Sequence, residues 1–368
     1  MGYDENDETI QSFFKQRPTT SKHECDDIAG GIVGRGAVIE SVDTQGSMSY
    51  TVTCTTKTII SFRRVGNLID SNVVGISKDL HRGLVPSASY CGKVGQGDET
   101  LTAYKMTYLP GRPCLEIYPR VAELDSEDEV KCATMYKHLA RYFARTWLAP
   151  MSKNFGREAA TLMEKEDLKD DEAWFRRRLS VMGAAQERFP YIQSFIDESE
   201  EDVIPVLFGR DWPKVLTHGD FSKRNILLDP QTFAVTGIVD WSLASIRPFG
   251  LDLELLLDLR GFSNDDDDGA AEYTTTEYTC HEKLEDVFWE EFWALAGVEG
   301  VKRRSHVKRV AMLAAKLDAL MKYGFQLEKD GGETDRLTVF NDDILKDLFD
   351  EKPGKREDSE ADLRGEGE

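Results

Sequence analysis

Three residues stand at spacings suited to one kind of chemistry. Asp220 lies in His218-Gly219-Asp220-Phe221-Ser222-Lys223-Arg224-Asn225, and Asn225 follows it by five positions. Fifteen residues after Asn225 comes Asp240, at the end of the apolar run Gly237-Ile238-Val239. Moving a phosphoryl group onto a hydroxyl asks for a carboxylate beside the attacking oxygen and for hard oxygen ligands around a magnesium ion. An aspartate and an asparagine five apart on one loop, with a second aspartate ending a nearby strand, supply both. Lone His-Gly-Asp triplets arise by chance. The asparagine at this spacing and the apolar-Asp-Trp of Val239-Asp240-Trp241 make the pattern specific.

His218-Gly219-Asp220, Asn225 and Val239-Asp240-Trp241 together resemble the signature of the aminoglycoside phosphotransferase family of the kinase-like superfamily, and the wording of the loop resembles its fungal members. Protein kinases usually carry arginine where this chain has Gly219, and Asp-Phe-Gly where it has Asp240-Trp241-Ser242. The resemblance runs over roughly residues 38 to 320 and is strongest from Leu216 to Asp252. It implies that Asp220 is the catalytic aspartate, that Asn225 and Asp240 are magnesium ligands, that His218 orients the loop, and that Asp252 is a structural aspartate. It further implies Mg2+ and ATP or GTP, with a small-molecule hydroxyl as acceptor.

The family's other nucleotide contacts are sought in the first hundred residues. Gly46 and Ser47 stand where a glycine-containing turn would cover the phosphates, and an ordinary hairpin turn reads equally well there. Arg63 stands where protein kinases place a lysine, and a guanidinium holds phosphate bidentately. Its usual partner is a glutamate on the next helix, but residues 67–83 contain none; Asp70 or Asp79 would substitute, Asp70 preferred. Met106 lies in the segment resembling the connection between lobes, where backbone groups would meet the base.

These residues need a frame. Residues 37–42, 50–54 and 58–63 are rich in β-branched and aromatic side chains and read as an antiparallel meander; residues 88–92 and 101–108 add two strands before the Pro110-Gly111 break. From Ser126 the period turns helical: Val130, Met135, His138, Leu139, Tyr142, Phe143 and Trp147 fall on one face. Helical patterns recur at 172–188, 191–207, 283–296 and 307–323, around a β-rich patch at 215–240. The expected fold is α+β and bilobal, protein-kinase-like, with a small antiparallel sheet lobe and a larger, mainly helical lobe. The expected divisions are an N-terminal segment 1–30, a nucleotide-side lobe 31–108, a lobe 109–351 with the catalytic loop and acceptor site, and a disordered acidic tail 352–368. Both chain ends and the acidic run beginning at Asn264 read as mobile. The acceptor should lie between the catalytic loop and the helices at 283–323, whose Phe288, Trp289, Phe292, Trp293 and Tyr323 are mostly core residues.

The formal net charge of −21 argues against nucleic acid and would suit a cationic acceptor. The basic clusters Arg176–Arg178 and Lys302–Arg304 read as solvated helix faces. Six scattered cysteines with no metal-ligand spacing, a polar N-terminus and no apolar run of membrane length point to the cytoplasm. His81, His138, His281 and His306 lack metal spacing, and there is neither a G-x-S-x-G elbow nor a Walker A sequence. Oligomeric state is not readable from the residues. Two other functions remain open: a kinase-fold enzyme of another reaction class using Asp220 as general base, and a non-catalytic pseudokinase.

Overall fold

The computed structural model describes residues 5–15, 20–34, 36–55, 57–97, 100–151, 155, 168–184, 187, 189–263, 275–325 and 342–349. The chain has an α+β, two-lobed architecture. In the smaller lobe, β1 (Ile39–Ser41), β2 (Ser49–Cys54), β3 (Thr58–Arg63), β4 (Ala88–Val94) and β5 (Leu101–Thr107) form an antiparallel sheet in the order β1-β2-β3-β5-β4. Pairing Ser49 with Arg63 and Arg63 with Thr102 fixes the register. Strand alternation sends Tyr50, Val52, Ile60, Phe62, Leu101 and Ala103 into a core beneath the sheet.

That core is closed by two helices from the N-terminal residues. Helices α1 (Glu5–Lys15) and α2 (Lys22–Val33) bury Ile10, Phe13, Cys25 and Ala29 against it. Ile10, Phe13 and Phe14 recur at helical spacing, and Ser21 caps α2 by accepting from the Glu24 amide at 3.2 Å. The Tyr50 hydroxyl donates to Asp26 at 2.7 Å, tying helix to sheet.

Helix α3 (Ser71–Leu80) follows β3 but turns its apolar face away from the sheet core. Val73, Val74 and Ile76 belong to the large core instead. The chain then passes through residues 108–111 to β6 (Arg112–Pro113) and the short α4 (Cys114–Ile117). Gly111, at φ 120°, lies so close to its surroundings that a Cβ would stand 2.3 Å from Thr236 Oγ1.

The larger lobe is built on α5 (Ser126–Leu148). Asp125 caps it by accepting from the Glu127 and Asp128 amides, and the acidic first turn suits the helix dipole. Its Met135, Leu139, Phe143 and Trp147 pack in the large core with Phe288 and Phe292, whereas Val130, expected on the same face, is 67% exposed. The remaining elements are α6 (Leu168–Ala184), α7 (Gln193–Glu198), α8 (Ile204–Phe208), β7 (Lys214–Thr217), β8 (Ile226–Leu228), β9 (Val235–Ile238), β10 (Ser245–Pro248), α9 (Glu254–Asp258), β11 (Gly261–Ser263), β12 (Thr275–Glu277), α10 (His281–Ala296), α11 (Val301–Gly324) and α12 (Asp342–Phe349). A π-helical turn, Ser199–Val203, joins α7 to α8.

Among the described residues the two cores form separate clusters. The aromatics expected to be core are so: Phe288, Trp289 and Phe292 are buried. One basic cluster departs from its reading, because Arg178 is buried with its guanidinium over the rings of Trp174 and Phe325. Residues 302–304 are exposed as expected. The acidic run from Asn264 and the tail 352–368 lie outside the described residues, although residues 275–277 of the expected mobile loop form β12. No described helix is long and apolar enough to cross a membrane.

Candidate active site

Two small sheets hold the loop that carries Asp220. Strand β7 enters it and is paired with β10, Thr217 opposite Ser245. Strand β8 leaves it, paired with β9 and β6. Between them the chain is pinned by a buried aspartate. Asp252 accepts from the His218 amide at 2.6 Å and the Gly219 amide at 3.2 Å. Burial pushes the Asp252 carboxyl above its ordinary range, against the pull of His218 and those amides.

His218 is fully buried and acts on its own loop. Its Nε2 meets the Val239 carbonyl at 2.8 Å, and the Asp220 amide reaches Nδ1 at 3.3 Å. A carbonyl only accepts, so the geometry assigns the hydrogen to Nε2 and leaves Nδ1 the acceptor. The ring thereby ties Asp220 to the strand end that carries Asp240.

Gly219 cannot be another residue without rearrangement. Its φ is 79°, and a Cβ there would lie 2.3 Å from the Leu243 carbonyl oxygen. This close approach explains why a side chain such as the arginine of protein kinases has no room at this position.

Asn225 joins the other two site residues. Its Nδ2 donates to the Asp220 carbonyl at 2.8 Å and to Asp220 Oδ2 at 3.0 Å. Its own carbonyl accepts from the Val239 amide at 2.9 Å. Asp240, the next residue, is non-glycine yet left-handed, at φ 64° and ψ 59°, a strained backbone of the sort concentrated at functional sites. Asp240 Oδ1 accepts from Ser242 Oγ at 2.9 Å and Arg63 at 2.8 Å. Burial opposes the charge on Asp240, but the Arg63 guanidinium, the Ser242 hydroxyl and His218 outweigh it and hold the carboxyl below its usual range.

The nucleotide-side expectations fare differently. Arg63 does reach the cleft, buried, with Nε on Ser61 Oγ at 3.2 Å. Its carboxylate partner is Asp240, not an acid of α3. Asp70 accepts from the Asn72 amide and caps that helix, and Asp79 is exposed. The cause is the turning of α3 toward the large core. Gly46 and Ser47 are exposed in the β1–β2 connection. Gly46 has no left-handed φ, and a Cβ there would touch only Ser49 Oγ at 3.7 Å, so the backbone does not require glycine. What shapes this connection is Gln45, whose side chain exchanges hydrogen bonds with the Thr51 backbone at 2.6 and 3.0 Å. Thr44 Oγ1 donates to Glu116 of α4 at 2.7 Å, and Arg112 holds the other oxygen of Glu116. Met106 is half-buried on β5, opposite Ile59 and Ala88.

Sequence reasoning also missed a closed ring of side chains behind the loop. Trp241 lies 4.8 Å from His218 and 5.9 Å from His81; His81 stacks on Tyr142 at 4.0 Å, Tyr142 on Phe221 at 4.9 Å, and Phe221 returns to His218 at 5.6 Å. Its members come from four separate stretches of chain, so no local spacing announces it.

An Asp240 carboxylate held charged and an Asn225 carboxamide whose nitrogen is turned to Asp220 are hard oxygen donors of the sort magnesium takes, with phosphate oxygens and water completing its shell. Among the described residues no group of three or more His, Cys, Asp or Glu could hold a metal ion by itself.

Comparison with solved structures gives matches of low similarity. The GDP complex of aminoglycoside 2'-phosphotransferase-IIIa is 16% identical, with a TM-score of 0.48 over 87% of this chain and 90% of that one. The streptomycin–ATP complex of APH(2")-IIa is 14% identical, with a TM-score of 0.41 over 88% of this chain and 94% of that one. Aminoglycoside-3'-phosphotransferase of type VIII is 17% identical, with a TM-score of 0.40 over 79% of this chain and 99% of that one. No curated protein matches the chain. Residues 76–287, more than half of the sequence and including His218, Asp220, Asn225, Asp240 and Asp252 but not Arg63, match the family model described as the phosphotransferase enzyme family, APH. The chain therefore belongs to the phosphotransferase enzyme family.

Proposed function

We propose that this protein transfers the γ-phosphoryl group of ATP or GTP to a hydroxyl of a small molecule. The observation that carries the reading is the grouping of Asp220, Asn225 and Asp240, in which the Asn225 carboxamide braces Asp220 and the Asn225 backbone carbonyl accepts from Val239, the residue before Asp240. Asp220 positions the acceptor hydroxyl and takes its proton as the oxygen bonds to the γ-phosphorus. The bond from that phosphorus to the bridging oxygen breaks, and the nucleoside diphosphate leaves with the electron pair.

Asn225 and Asp240 would hold magnesium, which supplies charge neutralisation on the phosphate oxygens. Arg63 is the cation for those phosphates, released to them from Asp240 as they arrive. The β1–β2 connection with Gly46 and Ser47 covers the phosphates, and the backbone around Met106 meets the base. Residues up to about 108 form the nucleotide side, and those beyond it the acceptor side. Free cysteines, four of them buried, suit a reducing cytoplasm.

The test is nucleotide consumption by the purified protein with Mg2+ and a panel of hydroxylated metabolites, alongside thermal shift with ATP, GTP and Mg2+. A magnesium-dependent thermal shift together with acceptor-dependent consumption is the expected result. Consumption unaffected by Asp220→Asn would sink the proposal.

A further inference from the structure

Thr44 of the β1–β2 connection and Glu116 of α4 stand 72 residues apart in the chain, and the Thr44 hydroxyl donates to Glu116 Oε1 at 2.7 Å. A hydroxyl on a carboxylate is a charge-assisted bond, stronger and more directional than a neutral one. Its two ends belong to pieces of the protein that are braced separately.

Glu116 stands on a platform fastened to the site loop. Its other oxygen, Oε2, accepts from Arg112 Nε at 3.1 Å and Nη2 at 2.9 Å, which orients the carboxylate and matches its charge. Arg112 lies on β6, opposite Leu228 of β8, the strand that leaves the loop of Asp220 and Asn225. The Leu115 amide, one residue before Glu116, donates to the Lys223 carbonyl at 3.1 Å, between Asp220 and Asn225. Lys223 is held in turn by Asp258 of α9, Nζ to Oδ1 at 3.0 Å. The position of Glu116 is thus set by the same backbone that sets the two site residues.

Thr44 belongs to a connection with bracing of its own. Gln45 exchanges side-chain hydrogen bonds with the Thr51 backbone at 2.6 and 3.0 Å, and the Val42 amide donates to the Thr51 carbonyl at 3.2 Å. Gln45 is buried, whereas Gly46, Ser47 and Met48 at the tip are exposed, so apolar packing does not seat the tip. A segment braced within itself and open at its tip can swing as a unit about its strand ends. A bond at Thr44 then decides where it rests. One bond near the surface adds little to the stability of a whole fold, yet it biases two positions of such a segment several-fold.

Resting on the phosphotransferase reading, in which this connection covers the nucleotide phosphates, we infer that Glu116 is a positioning residue that latches the β1–β2 connection to the site loop, and that bound nucleotide leaves when the Thr44–Glu116 bond opens. Arg112 keeps the latch aimed. Glu116 acts through Thr44.

The test follows N-methylanthraniloyl ATP or GTP, bound to the full chain with Mg2+, as it is released on a chase with unlabelled nucleotide. Thr44→Val and Glu116→Met should each release it about three- to tenfold faster than wild type, the size of one hydrogen bond to a charged group near the surface. The double variant should release no faster than the single ones, and Thr44→Ser, which keeps the hydroxyl, should release like wild type. Urea unfolding without nucleotide should show a coupling between the two positions of the same size in the unfolding equilibrium, because the bond is made in the free protein. That coupling with release rates unchanged would mean a merely structural pair and would overturn the inference, while nucleotide binding kept the phosphotransferase reading standing. Additive effects on release, absence of coupling, or a Thr44→Ser protein that releases like Thr44→Val would overturn it as well. A wild-type protein that binds neither nucleotide would sink the phosphotransferase reading and the latch with it.

Discussion

Arg63 and Asp240, 177 residues apart in the chain, meet at 2.8 Å, so the cation of the small lobe rests on the carboxylate proposed to hold magnesium. The Arg63 side chain is nearly enclosed, while that of Asp240 is 33% exposed. Solvent therefore screens the pair from one side only, and each partner is stabilised by the other.

Arg63→Met should lower stability by about 2 kcal/mol, less than a wholly buried pair because solvent reaches Asp240. Without the guanidinium, Asp240 is available to magnesium alone. A Mg2+ titration without nucleotide should then raise the melting temperature of Arg63→Met more than that of wild type. Equal shifts would show that Arg63 and the metal do not compete for Asp240.

Asp220→Asn should reduce turnover by about 100- to 10,000-fold, the range of general-base contributions, with little change in nucleotide affinity. Because Asn225 Nδ2 braces Asp220 Oδ2, Asn225→Ala should disturb the same function. The double variant should lose far less than the product of the single losses, as residues acting as a unit do. Turnover and calorimetric nucleotide binding across the four proteins decide this, and full additivity would mean that Asn225 does not act through Asp220.

Gly219→Ala should be strongly destabilising. The left-handed backbone costs a β-carbon about 1–2 kcal/mol, and the clash with the Leu243 carbonyl adds to it. Gly46→Ala should stay within about 0.5 kcal/mol of wild type, since its backbone is ordinary and its Cβ space open. Urea unfolding of both variants measures the contrast; a Gly219→Ala protein as stable as wild type would contradict the packing described here.

Burial, with Arg145 and His218 nearby, holds the His81 imidazole well below its usual value. The unfolded chain therefore binds a proton near pH 6.5 that the folded chain refuses. Stability from this group is present above about pH 6.5 and declines as pH falls toward the folded value. His81→Phe keeps a ring against Tyr142 and should flatten the loss of unfolding free energy between about pH 7 and 5. A variant with an unchanged slope would assign that loss to other groups.

The candidate site loop, residues 218–225, was legible because its pattern is local. Asp220, Asn225 and Asp240 lie on a loop and a strand end whose separations along the chain set their separations in space. Strands were legible from their β-branched and aromatic residues, Thr58–Arg63 to the residue. The partner of Arg63 was not, because it depends on which core α3 faces, and Val73, Val74 and Ile76 make as good an apolar stripe toward either. Helix α1 was overlooked because the acidic surroundings of Ile10, Phe13 and Phe14 masked their period. The His81–Tyr142 stack and the Thr44–Glu116 bond could not be read at all, since both are made between segments distant in sequence.

Among the described residues the two cores form separate clusters, and the small lobe should therefore have its own melting behaviour. The sheet with α1 and α2 can come away while Phe143, Phe288 and Phe292 stay packed, losing across the seam such polar links as Arg63–Asp240 and Thr44–Glu116. A nucleotide spanning that seam would then protect the sheet far more than the helices. Its affinity becomes readable as a change in the gap between two calorimetric transitions, a gap that added salt would widen by weakening the polar links of the seam.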